Sequence, residues 1–287
     1  MNVEVWELLG ANFPLFVLVG FIAQLVDGAL GMAYGTLSST VLLSLGVPPA
    51  QASAMIHAAE CVTTGVSGFS HVTHRNVDWK LFARLAPAGI VGGVLGAYVL
   101  TSFDQLFLKA CVVAYLACLG LVILRRAIRP LPDAPPRLKG AIPLGLVGGF
   151  LDASGGGGWG PVVASTLMGR GHTPRFVIGT VNTSEFFVTA AISSAFIWAV
   201  ITGRLDVLGG LQGLGTAIGG LVLGGIIAAP LAGKITKLIP GRYLLGAVAL
   251  VVITLATWQG IQLWPKLLAQ ELPARVLLEQ AVLAFRH

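Results

Sequence analysis

The sequence contains one unusual stretch twice, and this internal repeat limits the possible folds more than any other feature. Residues 20–60 align without gaps on residues 145–185 when the sequence is shifted by 125 positions. Chance similarity between apolar segments would match leucines and valines, whereas these identities fall on acids, glycines and prolines. The identical pairs are Asp27 and Asp152, Gly31 and Gly156, Gly35 and Gly160, Gly46 and Gly171, Pro49 and Pro174, and Glu60 and Glu185.

The composition predicts a polytopic membrane protein. Of the 287 residues, 55% are hydrophobic and 10% are charged, whereas about 25% are charged in a typical soluble domain. The net charge of +6 comes from basic residues between apolar runs, so it does not indicate nucleic-acid binding. A cleavable signal peptide is not expected, because the N-terminus carries Glu4 and Glu7 and lacks an early basic residue. No cofactor and no metal site is expected.

Two of the apolar segments are too long for one straight crossing and are interrupted by glycines. A continuous helix over residues 13–45 would be about 50 Å long, against about 30 Å of hydrocarbon. The interruption falls at residues 27–35 in the first copy and at 152–160 in the second. The apolar segments cover approximately residues 13–45, 50–73, 81–101, 105–124, 141–169, 176–201, 207–230 and 242–263.

The positions of Lys and Arg distinguish two possible topologies for the broken segments. If each enters and returns on one side of the membrane, loops 74–84, 125–140, 170–175 and 234–242 share a side and carry 13 Lys and Arg, against two in the opposite loops. This agrees with the excess of positive charge in cytoplasmic loops. A single crossing would place the basic 125–140 linker beside the acidic N-terminus, so the re-entrant arrangement is preferred.

The fold class predicted is an all-α integral membrane protein with two inverted repeats. Each repeat has a re-entrant broken-helix pair followed by three membrane-spanning helices, an architecture that recurs in transporters. Both termini are then on the non-cytoplasmic side of the membrane. The predicted divisions are the first repeat at 1–124, a cytoplasmic linker at 125–140, the second repeat at 141–263 and an interfacial tail at 264–287.

Four acids lie within apolar segments, and they form two repeat-related pairs: Asp27 with Asp152, and Glu60 with Glu185. An acid in the bilayer costs at least about 2.5–3.5 kcal/mol at the centre of a helix, so it indicates a functional site. Asp27 and Asp152 have an alternative role, because either could cap the N–H groups of its own half-helix. The sequence leaves open whether they contact substrate or only the backbone.

The helix breaks predict an anion site. The second half of each broken pair is expected to begin near mid-membrane, after Gly35 and at Pro161. Its free N–H groups and positive dipole end then point into the centre, where they can bind an anion without Lys or Arg. The predicted substrate-binding residues are Gly31, Tyr34, Gly35, Thr36, Ser39, His57, Gly156, Trp159, Gly160 and Asn182.

His57 and Glu60 are predicted to take part in a proton-linked step. They are three residues apart and share one helix face, as do Asn182 and Glu185. Both His and Glu can bind and release a proton. Glu60, Glu185, Asp27 and Asp152 are therefore the predicted proton-coupling or gating residues. A metal site is disfavoured, because the HxxE spacing at 57–60 has no third ligand in the sequence.

The paired elements AQLVDGALGMAYG at 23–35 and GGFLDASGGGGWGP at 148–161, together with LGVPPAQASA at 45–54 and RNVDW at 75–79, resemble the sulfite exporter TauE/SafE family. This family is also called the four-toluene-sulfonate uptake permeases. The resemblance covers about residues 13–263. It implies transport of small sulfur-containing or organic anions, such as sulfite or sulfonates, across the inner membrane.

The function predicted is therefore proton-coupled export of a small anion by alternating access, with no enzymatic activity. The partners expected are the anion, protons and the lipid bilayer, and a homodimer is left open. A cation transporter is the main alternative, because buried acids without buried Lys or Arg also suit sodium or a divalent metal. An intramembrane enzyme is disfavoured, because His57 and Glu60 lack a partner nucleophile.

Overall fold

The protein is described by a computed structural model over residues 11–103, 105–129, 140–205, 210–238 and 241–284, and it contains helices and no strands within these ranges. The elements in chain order are α1 Phe13–Leu30, α2 Tyr34–Ser44, α3 Pro49–Thr73, α4 Trp79–Leu100, α5 Gln105–Ile128, α6 Ala141–Gly155, a π-helical segment Trp159–Ala164, α7 Ser165–Gly169, α8 Pro174–Ile201, α9 Gly210–Leu238 and α10 Gly241–Ala284.

Length and composition suit these helices to a bilayer, which confirms the all-α membrane fold class. Within the described ranges, five helices are long and apolar enough to cross a membrane: Phe13–Leu30, Trp79–Leu100, Leu106–Ile128, Pro174–Ile201 and Leu245–Ala269. Large apolar side chains such as Phe69, Ile201 and Leu250 point outward. Such a surface is unfavourable in water but is matched to lipid tails.

Both helix breaks lie where the repeat predicts them. α1 ends before Gly31 and α6 ends before Gly156, and both glycines adopt the left-handed conformation with φ of 68° and 67°. Glycine takes this conformation without the steric cost of a Cβ atom. The second half of each broken pair begins slightly earlier than expected, at Tyr34 in the first repeat and at Trp159 in the second. Pro161 therefore lies inside the first turn, where its missing N–H group is not needed.

The second broken segment enters and returns at the same end of the molecule. Gly140, which precedes α6, lies against the guanidinium of Arg170, which follows α7: a Cβ built on Gly140 would be 3.2 Å from Arg170 Nη1. A segment that crossed the bilayer would separate these residues by about 30 Å. This proximity supports the re-entrant arrangement over a single crossing.

The loops come together in two groups that follow the charge pattern. At one end, Arg175 donates hydrogen bonds to Asn76 and to the carbonyl of His74, and Arg126 contacts Met168. At the other end, Lys109 donates to the carbonyl of Leu43, and the Arg204 guanidinium lies 4.8 Å from the centre of the Tyr98 ring. Each contact joins loops that the Lys and Arg distribution places on one side.

The long helices of one repeat pack against long helices of the other repeat. The first helix of each broken pair packs on the second of the three spanning helices of the other repeat, α1 on α9 and α6 on α4. In addition, α3 packs on α8 and α5 packs on α10. Glycines permit the close approach: a side chain at Gly92 would collide with the Leu146 carbonyl, and one at Gly224 with the Val17 carbonyl. The broken segments are thereby held together at the centre.

The C-terminal region from residue 264 continues the last membrane-spanning helix, and its expected interfacial position stays a prediction. α10 continues without a break from Gly241 to Ala284. Its 44 residues span about 66 Å at 1.5 Å per residue, so the helix extends well beyond one side of a 30 Å hydrocarbon layer. The side chains of residues 270–287 lie outside the described part.

Candidate functional site

The four predicted acids and His57 are all buried in the interior. Their exposed fractions are 2% for Asp27, 1% for Glu60, 1% for Asp152 and 5% for Glu185, and His57 is fully buried. Asp27 and Asp152 precede the two helix breaks, and Glu60 and Glu185 lie on the packed helices α3 and α8. The carboxyl groups are close enough to interact electrostatically. The fold thus collects in one place the acids that the sequence separates.

The imidazole of His57 is held in one orientation. Its Nδ1 lies 2.7 Å from the backbone carbonyl oxygen of Ser53. A carbonyl only accepts, so Nδ1 carries a hydrogen and donates it, which directs Nε2 toward Asp152 Oδ2 at 3.2 Å. The Ser53 hydroxyl donates to the Ala153 carbonyl at 2.6 Å and ties α3 to α6 beside this contact.

Asp152 connects His57 to the second helix break. Its Oδ1 accepts the backbone N–H groups of Gly158 at 2.6 Å and Trp159 at 2.9 Å, while Oδ2 faces His57. In the first repeat, Asp27 accepts the backbone N–H of Tyr34, the position equivalent to Trp159. Both aspartates therefore cap their own half-helix. The N–H groups expected to bind substrate are occupied by the protein's own carboxylates in this conformation.

Glu60 completes a three-residue group. Its Oε2 lies 4.0 Å from His57 Nε2 and is buried without a hydrogen-bond partner. Suitable ligand atoms of His57, Glu60 and Asp152 all lie within 4.8 Å of one another. The sequence argument lacked this third ligand, because Asp152 lies 95 positions from His57 and in the other repeat.

The equivalent group in the second repeat is different. Asn182 occupies the place of His57 and donates from Nδ2 to the Ile178 carbonyl at 3.1 Å, while its Oδ1 is buried without a partner. An amide cannot exchange a proton as an imidazole does. Glu185 lies one turn further along α8, so the second repeat retains the acid and lacks the titratable partner.

The two helix breaks contact each other in two places, and the internal repeat relates one contact to the other. A Cβ on Gly35 would be 2.7 Å from the Gly156 carbonyl oxygen, and one on Gly160 would be 2.9 Å from the Gly31 carbonyl oxygen. The repeat shift of 125 converts one contact into the other. The backbone segments therefore pack directly on each other at the centre, where any added side chain collides.

The remaining predicted donors bind backbone carbonyls in this conformation. Ser39 donates to Gly155 at 2.8 Å, and Thr36 lies 3.5 Å from the Gly157 carbonyl oxygen. Tyr34 donates from its hydroxyl to Leu221 at 3.2 Å, and the fully buried Trp159 donates from Nε1 to Val181 at 3.2 Å. The bonds of Ser39, Thr36 and Tyr34 join the two repeats, whereas the Trp159 bond lies within the second repeat.

Two further polar residues belong to the same interior and were not among the predicted site residues. Gln24 is 1% exposed with Oε1 unpartnered, and Ser38 is fully buried with an unpartnered hydroxyl. Gln24 precedes Asp27 by three positions and therefore shares its helix face. That spacing is the signal that could have identified Gln24.

Comparison with known proteins matches most of the chain to one family of membrane proteins. The family model described as Sulfite exporter TauE/SafE matches residues 16–258. A protein of Bacillus subtilis (strain 168) named "Probable membrane transporter protein YtnM" is 40% identical over 225 residues, covering 76% of this chain and 72% of the relative. No solved structure matches the chain significantly.

These similarities cover most of the described helices and both breaks. The relative is named a membrane transporter and the family an exporter, which excludes the intramembrane enzyme considered above and supports a small transported substrate. The chain is a multi-pass membrane transporter that belongs to the TauE/SafE sulfite exporter family.

Proposed function

We propose that this protein is a secondary transporter that exports a small sulfur-containing oxyanion or sulfonate across the inner membrane in exchange for, or together with, protons. The family description supports a sulfur oxyanion. The observation that carries the proposal is the contact of His57 with Asp152, because Asp152 simultaneously holds N–H groups suited to an anion.

The coupling follows from a competition for these N–H groups. Ionised Asp152 accepts from Gly158 and Trp159, and hydrogen bonds to a charged acceptor are about twice as strong as neutral ones. When Asp152 takes a proton from His57, its hold on both N–H groups weakens. An anion oxygen then replaces the carboxylate, so anion binding follows protonation. Glu60, beside His57 Nε2, and Glu185 carry or gate the proton.

Entry from the basic side is supported by a cavity of about 990 Å³ beside the first break. Arg126, Arg129 and Arg242 line it, and Leu30, the last residue of α1, also borders it. Guanidinium groups pair with oxyanions through parallel hydrogen bonds. On this proposal the cavity is the cytoplasmic vestibule, and both chain termini are on the opposite side.

The closed packing of the two breaks supports alternating access. Gly35 and Gly160 contact the opposite break so tightly that substrate requires the two repeats to separate. An inverted two-fold relation between the repeats would let the same movement open either side in turn. The exchanged pairing of α1 with α9 and of α6 with α4 is consistent with this relation.

Purified protein in liposomes tests the proposal. Sulfite loaded inside should leave faster when a pH gradient is imposed, and sulfonates should compete with it. Accumulation of sodium or a divalent metal that needs no anion would instead establish the cation transporter considered above. Sulfite flux that is the same with and without protein would exclude the proposed substrate.

A further inference from the structure

The central cluster of His57, Glu60 and Asp152 offers three potential metal-ligand atoms, whereas the exchange of a proton needs only two groups. His57 Nε2 lies 3.2 Å from Asp152 Oδ2 and 4.0 Å from Glu60 Oε2. We propose that these three residues bind a divalent first-row transition-metal ion whose remaining coordination positions take the transported oxyanion. This inference rests on the proposed anion transport. The ion, which neutralises the acids, occupies the site when His57 Nε2 carries no proton, because it bonds to the same two atoms, His57 Nε2 and Asp152 Oδ2, between which the proton passes.

The orientation of two ligands is already arranged by surrounding backbone. Metal-bound histidines usually donate their other ring N–H to a carbonyl or carboxylate, and His57 Nδ1 donates to the Ser53 carbonyl. Asp152 is held through Oδ1 by two N–H groups, which leaves Oδ2 directed toward the histidine. These contacts preserve both ligand positions without using the ligand atoms themselves.

Glu60 provides an independent indication that a ligand belongs here. Its Oε2 is fully buried and has no hydrogen-bond partner, and the residue is 1% exposed. An unpartnered buried polar atom destabilises the fold, and a charged one does so more strongly. A proton shared between His57 and Asp152 leaves this oxygen unsatisfied, whereas an ion between the three side chains bonds to it.

The donor set selects the class of ion. One imidazole nitrogen and carboxylate oxygens suit Zn²⁺, Mn²⁺, Co²⁺ and related ions, whereas Ca²⁺ and Mg²⁺ prefer oxygen ligands alone. Bond lengths of about 2.0–2.2 Å place neighbouring ligands about 3.0–3.5 Å apart. The His57–Asp152 spacing of 3.2 Å fits. Glu60 lies 4.0 Å from His57, and the three ligand atoms lie within 4.8 Å of one another, so Glu60 needs a shift of about 1–2 Å to complete the site.

The site also explains how an anion can bind among acids. Two ligating carboxylates balance a divalent charge, and three protein ligands leave a position open for a small molecule, as in zinc sites that bind substrate. The nearby acids Asp27 and Glu185 increase the local negative field. An oxyanion would be repelled from this field unless a cation or protons neutralise it.

Metal binding to the full-length protein in detergent tests the site directly. Chelator-treated protein should bind about one Mn²⁺ or Zn²⁺ per chain, and His57→Gln and Glu60→Gln should weaken binding at least 100-fold. His71→Gln, on the same helix near its end, is the matched control and should bind as wild type. Equal affinity in His57→Gln and His71→Gln, or no binding by wild-type protein at millimolar ion, would overturn the inference.

A measurement on unmodified protein avoids variants that fail to fold. Mn²⁺ bound at this site should show magnetic coupling to an imidazole nitrogen by pulsed electron paramagnetic resonance. Bound Mn²⁺ without nitrogen coupling would overturn the assignment of His57 as a ligand, because no other ligand in the group contains nitrogen.

Transport assays separate this inference from the proposed function. Sulfite efflux that is lost in chelator-treated protein and restored by the ion supports both. Sulfite efflux that persists in protein free of metal overturns the metal site and leaves the proposed function standing. Metal accumulation in liposomes without sulfite flux overturns both the resident ion and the anion substrate.

Discussion

His57 Nε2 lies 3.2 Å from Asp152 Oδ2, and this contact joins residues from different repeats. The carboxyl group also caps the half-helix that begins at Trp159 through its other oxygen. One side chain therefore connects a titratable imidazole to the backbone that an anion would use. This arrangement underlies the predictions for transport.

Replacing Asp152 by Asn should uncouple transport while the protein remains folded. The amide oxygen can still accept from Gly158 and Trp159, but the side chain no longer takes a proton from His57. We expect a loss of at least tenfold in pH-driven sulfite efflux from liposomes, and a cost of about 1–3 kcal/mol from the weaker hydrogen bonds. Unchanged pH-driven efflux in this variant would contradict the competition mechanism.

Glu60→Gln and Glu185→Gln should abolish proton-coupled flux. Each substitution preserves side-chain volume and removes a proton carrier from a buried position. The measurement is sulfite efflux at several imposed pH gradients, with thermal unfolding as the check on folding. Wild-type flux with the wild-type dependence on the gradient in both variants would exclude these acids from coupling.

Gly35→Ala should disrupt the contact between the two breaks. The new Cβ would lie 2.7 Å from the Gly156 carbonyl oxygen and from the Gly157 Cα, which are backbone atoms that cannot move aside easily. We expect destabilisation of about 1–3 kcal/mol, as for overpacked cores, and reduced transport. Gly260→Ala is the control, because no atom lies within 4 Å of its added Cβ. Equal melting temperatures for the two variants would argue against this packing.

Arg126→Gln and Arg242→Gln should raise the KM for anion export by several-fold with little change in kcat. Both residues line the cavity beside Leu30. Removing a guanidinium weakens the initial binding of the anion in this cavity more than it slows the later steps of transport. Arg125→Gln removes the same charge from the adjacent exposed position. It is the control for any effect of lost positive charge on the orientation of the protein in the membrane. Similar KM values for Arg125→Gln and Arg126→Gln would show that the cavity does not capture the anion.

Ser53→Ala should loosen α3 from α6 and leave the histidine tautomer intact. The hydroxyl bond to the Ala153 carbonyl is lost, whereas His57 Nδ1 still donates to the backbone carbonyl of residue 53. The expected loss of stability is about 0.5–1.5 kcal/mol, measured as a fall in melting temperature. Thr73→Ala removes an exposed local hydrogen bond and should have a smaller effect.

Much of the fold could be predicted because its signals are local or periodic. Apolar runs indicate helices, and the repeat placed both breaks at the observed glycines, Gly31 and Gly156. The Lys and Arg distribution grouped loops that the structure also brings together. The second helix of each broken pair begins two residues earlier than expected, because capping by Asp27 and Asp152 determines where the first helical N–H is satisfied.

The sequence by itself determined the membrane class, the two-fold repeat, and the identity of the buried acids, because a charge in an apolar segment is evident without coordinates. Only the tertiary structure decided which of these acids meet. In the folded protein Asp152 lies beside His57 and also caps its half-helix. The N–H groups at the start of both half-helices are hydrogen-bonded to the carboxylates of Asp27 and Asp152. Contacts between residues 95 positions apart depend on how α3 and α6 pack, and no local pattern records that packing.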